Sequence, residues 1–290
     1  MTILDPLVIA QLGNLRIRAR KLLEGLYSGR HLNRNRGSSK EFSEHRPYNP
    51  GDDLRALDWK IFGKTDRLVL KQFDEETSLA GLVALDPSAS MNYRTGNHPS
   101  KLEYAKTMAA ALGYLLVAQH DAVGLLSESV TLPPRNQKGF LDLFFETLSG
   151  IDGKGRWDLA SLPLQVANQL KKPGLLMILT DLMQDTGTIE TAFKAFHSRK
   201  HDIMVFQILD PSEKDLTATG SILFEDVETG EKIKTEPEAI RQAYREFVEK
   251  KLAETSHFFK GLGIEHVVLT TDTPFNKGLG TYLSWREAHL

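Results

Sequence analysis

Asp86, Ser88 and Ser90 stand at alternate positions just beyond an apolar run, residues 79–85. Carboxylate and hydroxyl oxygens are hard donors, suited to Mg²⁺, Ca²⁺ or Mn²⁺ and not to zinc or copper. A second apolar run, residues 174–180, ends in Asp181. Open α/β sheets bind ligands beyond the carboxyl ends of their strands. If the two runs are parallel neighbours, Asp86 and Asp181 open onto one crevice. Asp86, Ser88, Ser90 and Asp181 are therefore the candidate ligands of a divalent cation, Mg²⁺ or another. One alternative is a turn in which the Asp and Ser side chains merely cap the next segment. Another is a Mg²⁺-dependent hydrolase or phosphatase with Asp86 as nucleophile. Against that, the usual Asp-x-Asp pattern is broken by Ser88, and a charge-neutralising lysine would have to be Lys101 or Lys106. The chain has no G-x-S-x-G elbow, and its glycine-rich pieces match neither nucleotide-binding fingerprint.

The elements that must hold these residues follow from hydrophobic periodicity. Residues 79–85, 121–127, 174–180, 202–209 and 264–270 read as strands. Helices are predicted over 101–119, 140–148, 159–170, 188–199, 239–260 and 276–285, with an edge strand at 130–132 and a hairpin at 221–234. Strands alternating with helices give a mostly parallel sheet with helices on both faces. Upstream, residues 7–27 read as an amphipathic helix and 68–73 as a strand, while 28–66 show little periodicity. That irregular stretch is dense in Arg46, Asp52, Asp53, Arg55, Asp58 and Trp59. These residues form either an internal ion-pair network or a partner-binding surface. Asp52 or Asp53 is placed to cap a short helix through Trp59. The expected organisation is an N-terminal segment, 1–78, followed by an α/β domain, 79–290.

Bulk properties exclude several classes. Hydrophobic residues make up 41% and charged residues 26%, the balance of a globular protein. There is no cysteine, hence no disulfide, thiol nucleophile or cysteine zinc site. The net charge of −2 argues against a globally basic nucleic-acid binder. The charge is uneven, however: residues 1–40 carry eight Lys or Arg against two acids, a local +6. A solvated basic face is the simpler reading, and a docking surface for an acidic partner or nucleic acid the sharper one. No leader-like segment is visible at the start. The longest apolar run falls well short of the ~20 residues a membrane span needs, so a cytoplasmic location is expected.

Several runs carry a resemblance. They are Arg46-Pro-Tyr-Asn-Pro-Gly-Asp-Asp-Leu-Arg55-x-x-Asp58-Trp59, Leu70-Lys71-x-Phe73-x-Glu75, and Leu85-Asp86-x-Ser88-x-Ser90-Met91. With Phe224-Glu-Asp-Val-Glu-Thr-Gly and Thr271-Asp272-x-Pro274 near the end, they resemble the DUF58 family over nearly the whole chain. The resemblance implies a von Willebrand factor A-like α/β fold with an irregular N-terminal elaboration. It also implies a metal-ion-dependent adhesion site on the C-terminal edge of the sheet. Asp86, Ser88 and Ser90 match the first arm of that site and Asp181 the later aspartate. The middle arm aligns with Gly155-Arg156-Trp157-Asp158-Leu159. There Trp157 stands where the family has threonine. An indole offers no lone pair to a hard cation, so Asp158 or water is the substitute on that arm. The family's genomic association with MoxR-type AAA+ ATPases implies a partner.

Three functions are weighed on these residues. The first is a non-catalytic interaction module, an adaptor or co-chaperone for such an ATPase, that grips a partner's Asp or Glu through the bound cation. The second is the Asp86-dependent hydrolase. The third, ranked last, is nucleic-acid binding by the basic first 40 residues, whose signature would be a steep salt dependence.

Overall fold

The computed structural model describes residues 6, 9, 14–29, 42–48, 57–73, 79–155, 157–197, 200–216, 220–225 and 232–289. The chain forms two compact units, residues 32–78 and residues 1–31 with 79–290. The boundary therefore differs from the expected 1–78 and 79–290 in the placing of the first helix.

The larger unit is built on a six-stranded sheet. In chain order its strands are β3 (Ala80–Leu85), β4 (Ala122–Ser127), β5 (Val130–Arg135), β6 (Leu175–Thr180), β7 (Asp202–Leu209) and β10 (Glu265–Thr270). They lie side by side as β10-β7-β6-β3-β4-β5, all parallel except β5, which runs antiparallel to β4. Counted within the sheet, this is the doubly wound order 3-2-1-4-5-6. With its antiparallel edge strand and helices on both faces, the unit is von Willebrand factor A-like, as the sequence led us to expect. The order reverses between β3 and β6, the strands that deliver Asp86 and Asp181. Pro133 and Pro134 lie in β5, at the sheet edge where a missing N–H leaves no ladder bond unmade.

β3, β6 and β7 are buried almost throughout, as their largely apolar sequences require of strands covered on both faces. Alternate side chains feed two cores. On one face Val83, Leu85, Met177, Leu179 and Phe206 pack with α3 (Lys101–Ala118), α4 (Phe140–Gly150) and α9 (Asn276–Ala288). On the other, Leu82, Ala84, Leu176, Ile178 and Val205 pack with α5 (Leu162–Gln169), α6 (Thr186–His197) and Phe259 of α8 (Pro237–Gly261). α3 is capped by Ser100, whose side chain accepts from the Glu103 N–H at 3.2 Å. It is buried on nearly every side, because α1 (Leu15–Gly29) covers the face turned away from the sheet with Leu15, Leu22, Leu23 and Leu26. That apolar face joins α1 to the larger unit. A four-residue helix, α7 (Pro211–Lys214), follows β7, and β8 (Ile222–Glu225) pairs antiparallel with β9 (Lys232–Thr235), the expected hairpin.

In residues 32–78, part of the stretch expected to be irregular is ordered. β1 (Phe42–Pro47) pairs antiparallel with β2 (Val69–Phe73), with a register shift between Phe42 and Glu44. The strand was not legible because Phe-Ser-Glu-His-Arg-Pro shows no apolar alternation. Between them lies α2 (Trp59–Thr65). Its cap is Asp58, not Asp52 or Asp53: the Asp58 carboxylate accepts from the N–H groups of Lys60 at 2.9 Å and Ile61 at 3.2 Å.

Candidate functional site

Asp86 is the first residue beyond β3 and is fully buried. Its backbone N–H donates to the Leu179 carbonyl of β6 at 3.0 Å, so the ladder runs right up to the crevice. Its carboxylate accepts from the Ser88 N–H at 2.8 Å and from the Thr180 hydroxyl at 2.6 Å. Burial, and then the negative charge of Asp181, push its carboxyl up to about 6 against an ordinary 3.8. Beyond it, a 3₁₀ turn over Ala89–Asn92, anchored by the buried Met91, turns the Ser88 and Ser90 hydroxyls toward each other at 3.0 Å. The three residues of the first arm are thus close together, Ser88 bonded to Asp86 through its N–H and to Ser90 through its hydroxyl.

Asp181 follows β6 and is also fully buried. One carboxylate oxygen accepts from the Met183 N–H at 3.2 Å, across Leu182, which sits in the left-handed region at φ 55°. A non-glycine residue there is uncommon and clusters at functional turns. The other oxygen accepts from the ammonium of Lys101 at 2.8 Å. Lys101, in the first turn of α3, is fully buried and also donates to Glu213 of α7 at 2.6 Å. Burial pulls this ammonium down, but the charges of Asp181 and Glu213 outweigh it and hold Lys101 above its usual range. For Glu213 the balance is reversed: burial prevails over the Lys101 charge and raises it.

The middle arm lies beside the first and is joined to it through the backbone. Gly155 pairs with Ser88 in a parallel bridge, and its N–H donates to the Pro87 carbonyl at 3.0 Å. A Cβ on Gly155 would meet the Pro87 ring at 2.9 Å, so the approach depends on glycine. Trp157 packs half-buried on the core, and its indole N–H has no hydrogen-bond partner among the described residues. Asp158 is exposed and turns its carboxylate to the N–H groups of Ala160 at 3.1 Å and Ser161 at 3.3 Å. It caps the next segment rather than replacing the missing threonine oxygen.

Sequence reasoning missed two members of this edge. β7 also ends in a carboxylate: Asp210 is fully buried and accepts from the Thr95 N–H at 2.8 Å and the Ser212 N–H at 2.9 Å. Glu213 closes the capping box back to the Asp210 N–H at 2.7 Å. The signal was present, since Ile208-Leu209-Asp210 repeats the pattern of a strand ending in Asp. Lys101 had been weighed only as a partner of a phosphoryl group. Of the expected partner surface, Asp52, Asp53 and Arg55 lie outside the described residues, as does the side chain of Arg46 on β1. Asp58 is buried and committed to its helix cap, so it is corrected from a surface contact to a structural residue. Trp59 is 63% exposed.

The donor chemistry fits a hard cation on the first arm, with the hydroxyls of Ser88 and Ser90 and the carboxylate of Asp86. It fits less well on the side of Asp181, where an ammonium already holds the carboxylate. Among the described residues no group of three or more His, Asp or Glu has metal-holding geometry, so an ion here would have a single carboxylate, Asp86, beside the hydroxyls and water.

The doubly wound sheet, with its antiparallel edge strand and with Asp86 and Asp181 at its switch point, defines a von Willebrand factor A-like fold. The chain belongs to the DUF58 family, described as a protein of unknown function, whose model matches residues 44–254. It is similar to the uncharacterized protein Rv1480 of Mycobacterium tuberculosis, with 24% identity over 92% of this chain and 86% of the relative. The uncharacterized protein Mb1516 of Mycobacterium bovis matches to the same extent. Among solved structures it is similar to the conserved hypothetical protein BatB from Bacteroides thetaiotaomicron, with TM-score 0.46 and 19% identity over 71% of this chain and 98% of that one. It is also similar to the SpRpn10 VWA domain, with TM-score 0.44 and 12% identity over 71% of this chain and 95% of that one.

Proposed function

We propose that the protein is a non-catalytic interaction module that recognises a carboxylate of a partner protein at the C-terminal edge of its sheet. In this reading Ser88, Ser90 and Asp86 hold a divalent cation, which when bound supplies the Lewis-acid attraction for the partner's Asp or Glu. The observation that carries the reading is the pair of neighbouring parallel strands, β3 and β6, that end in Asp86 and Asp181 at the same edge of the sheet, with the Ser88 and Ser90 hydroxyls facing each other just beyond β3. Asp86 serves as a buried anchor. Its two oxygens are taken up by the Ser88 N–H and the Thr180 hydroxyl, which suits a ligand-positioning role better than attack on a substrate. The partner we propose is a MoxR-type AAA+ ATPase, on the strength of the family resemblance alone. The adaptor would then work in the cytoplasm.

The test is co-purification of the tagged protein with the ATPase in Mg²⁺ or in EDTA, beside a Ser88→Ala/Ser90→Ala variant. Retention in Mg²⁺ that is lost in EDTA and in the variant is the expected result. Equal retention in all three would leave an adaptor without a metal bridge. Hydrolysis of a phosphoester that disappears in Asp86→Asn would replace the module with an enzyme.

A further inference from the structure

Lys101 is in an expensive position. Its ammonium is wholly removed from water, and it sits in the first turn of α3, where the helix dipole disfavours positive charge. A buried ion pair is often matched or surpassed in stability by apolar residues of similar size. Stability alone is therefore a weak reason for a lysine here. What the lysine does have is a specific pair of partners. It binds Asp181 at 2.8 Å and Glu213 at 2.6 Å, with the Tyr93 ring 5.9 Å away. Asp181 is also close enough to Asp86 for its charge to act on that carboxyl.

The crevice thus contains a cation of its own. A divalent ion on the first arm would meet one carboxylate, Asp86, and two hydroxyls, while the charge of Asp181 is already answered. Ions of this class gain affinity with the number of charged ligands around them. We propose, on the reading of Asp86, Ser88 and Ser90 as a cation site, that Lys101 is a tethered competitor that claims Asp181 and keeps the site weak. The free protein then holds the ion loosely, and a second carboxylate has to come from a partner. Ion and partner bind cooperatively, each raising the affinity for the other by the same factor.

The experiment is calorimetric titration with Mn²⁺ and with Mg²⁺, together with thermal unfolding, on the wild type, on three Lys101 variants, and on Ser88→Ala made in each of these backgrounds. Lys101→Gln frees Asp181 and is expected to tighten ion binding about tenfold or more, the scale of one unit charge at short range in a partly buried site. Lys101→Arg keeps the charge and is expected to keep the weak binding. Lys101→Gln/Glu213→Gln removes one charge of each sign. It is expected to tighten binding as the single variant does, which separates release of Asp181 from a change in net charge. Ser88→Ala is expected to abolish binding.

If binding is sensitive to Ser88→Ala but no tighter in either Lys101→Gln background, the competitor role is overturned and the cation site stands. If no background shows binding sensitive to Ser88→Ala, the cation site fails and the competitor role with it. A Lys101→Gln protein that folds only when Mn²⁺ is added supports the proposal. If neither Lys101→Gln background folds with or without the ion, the ion cannot take the place of the ammonium and the proposal is overturned.

Discussion

Asp86 is held where its charge is unfavourable. Its folded carboxyl takes up a proton near about 6, its unfolded one near 3.8. The folded state therefore binds that proton more tightly than the unfolded state. The stability this group contributes is full below about 3.8 and lost as pH rises through about 6. At neutral pH its ionised carboxylate is a cost that the Thr180 and Ser88 hydrogen bonds only partly offset. Asp86→Asn removes the charge and keeps an acceptor for the Ser88 N–H. In EDTA the variant is expected to be more stable by about 1–3 kcal/mol, and its unfolding should no longer respond to added Mg²⁺. Loss of stability in EDTA would mean that the two donors need an anion and that burial is the lesser influence. A residue whose removal stabilises the fold and ends a ligand response is the usual mark of function maintained against stability.

At the scale of the element, α3 decides both the core and the site. Its sequence reads as a helix with one apolar face, yet it is buried almost all round, between the sheet and α1. The reason it was not fully legible is visible in Lys101 and Lys106, which a periodicity argument assigns to solvent. Both are buried, and Lys101 is satisfied by Glu213, 112 residues away along the chain. No local pattern announces a pairing at that distance. The buried parallel strands, by contrast, were legible to within a residue of their bounds, because a mostly apolar segment has nowhere to go but between two helical layers. Gly113 tests the packing. Glycine to alanine inside a helix ordinarily stabilises by about 1 kcal/mol. Here a Cβ would lie 2.7 Å from the ring of Phe144, itself wholly buried in α4. Gly113→Ala is expected to destabilise by about 1–3 kcal/mol, as overpacking does, measured by urea unfolding. A stabilised variant would show that α3 and α4 can part without cost.

At the scale of the whole molecule, the sheet links the crevice to its far edge through polar side chains as well as through its ladder. Gln207 on β7 donates to the Asp181 carbonyl at 3.1 Å and meets His266 of β10 at 3.1 Å through its other amide atom, while His266 meets Ser256 of α8 at 2.9 Å. Burial lowers the His266 imidazole to about 4 from an ordinary 6.5. The folded state therefore binds this proton less readily than the unfolded state. The stability His266 contributes is full above about 6.5 and is lost as pH falls toward about 4. Asp86 acts in the opposite sense over much of the same range, so the two contributions partly cancel and the wild-type profile is flattened. His266→Gln keeps hydrogen-bonding capacity and removes the proton site. Its thermal stability is then expected to rise, relative to wild type, as the solution is acidified from about 6.5 toward about 4. For a side chain that is partly exposed, the difference should reach about 1–3 kcal/mol. Parallel profiles for variant and wild type would mean that the folded protein takes up the His266 proton as readily as the unfolded chain does, so that in acid its ring bonds are made by the charged form. Gln207 and Ser256 would then both have to act as acceptors, and the Gln207 amide could keep its bond to the Asp181 carbonyl because its nitrogen need not turn toward the ring.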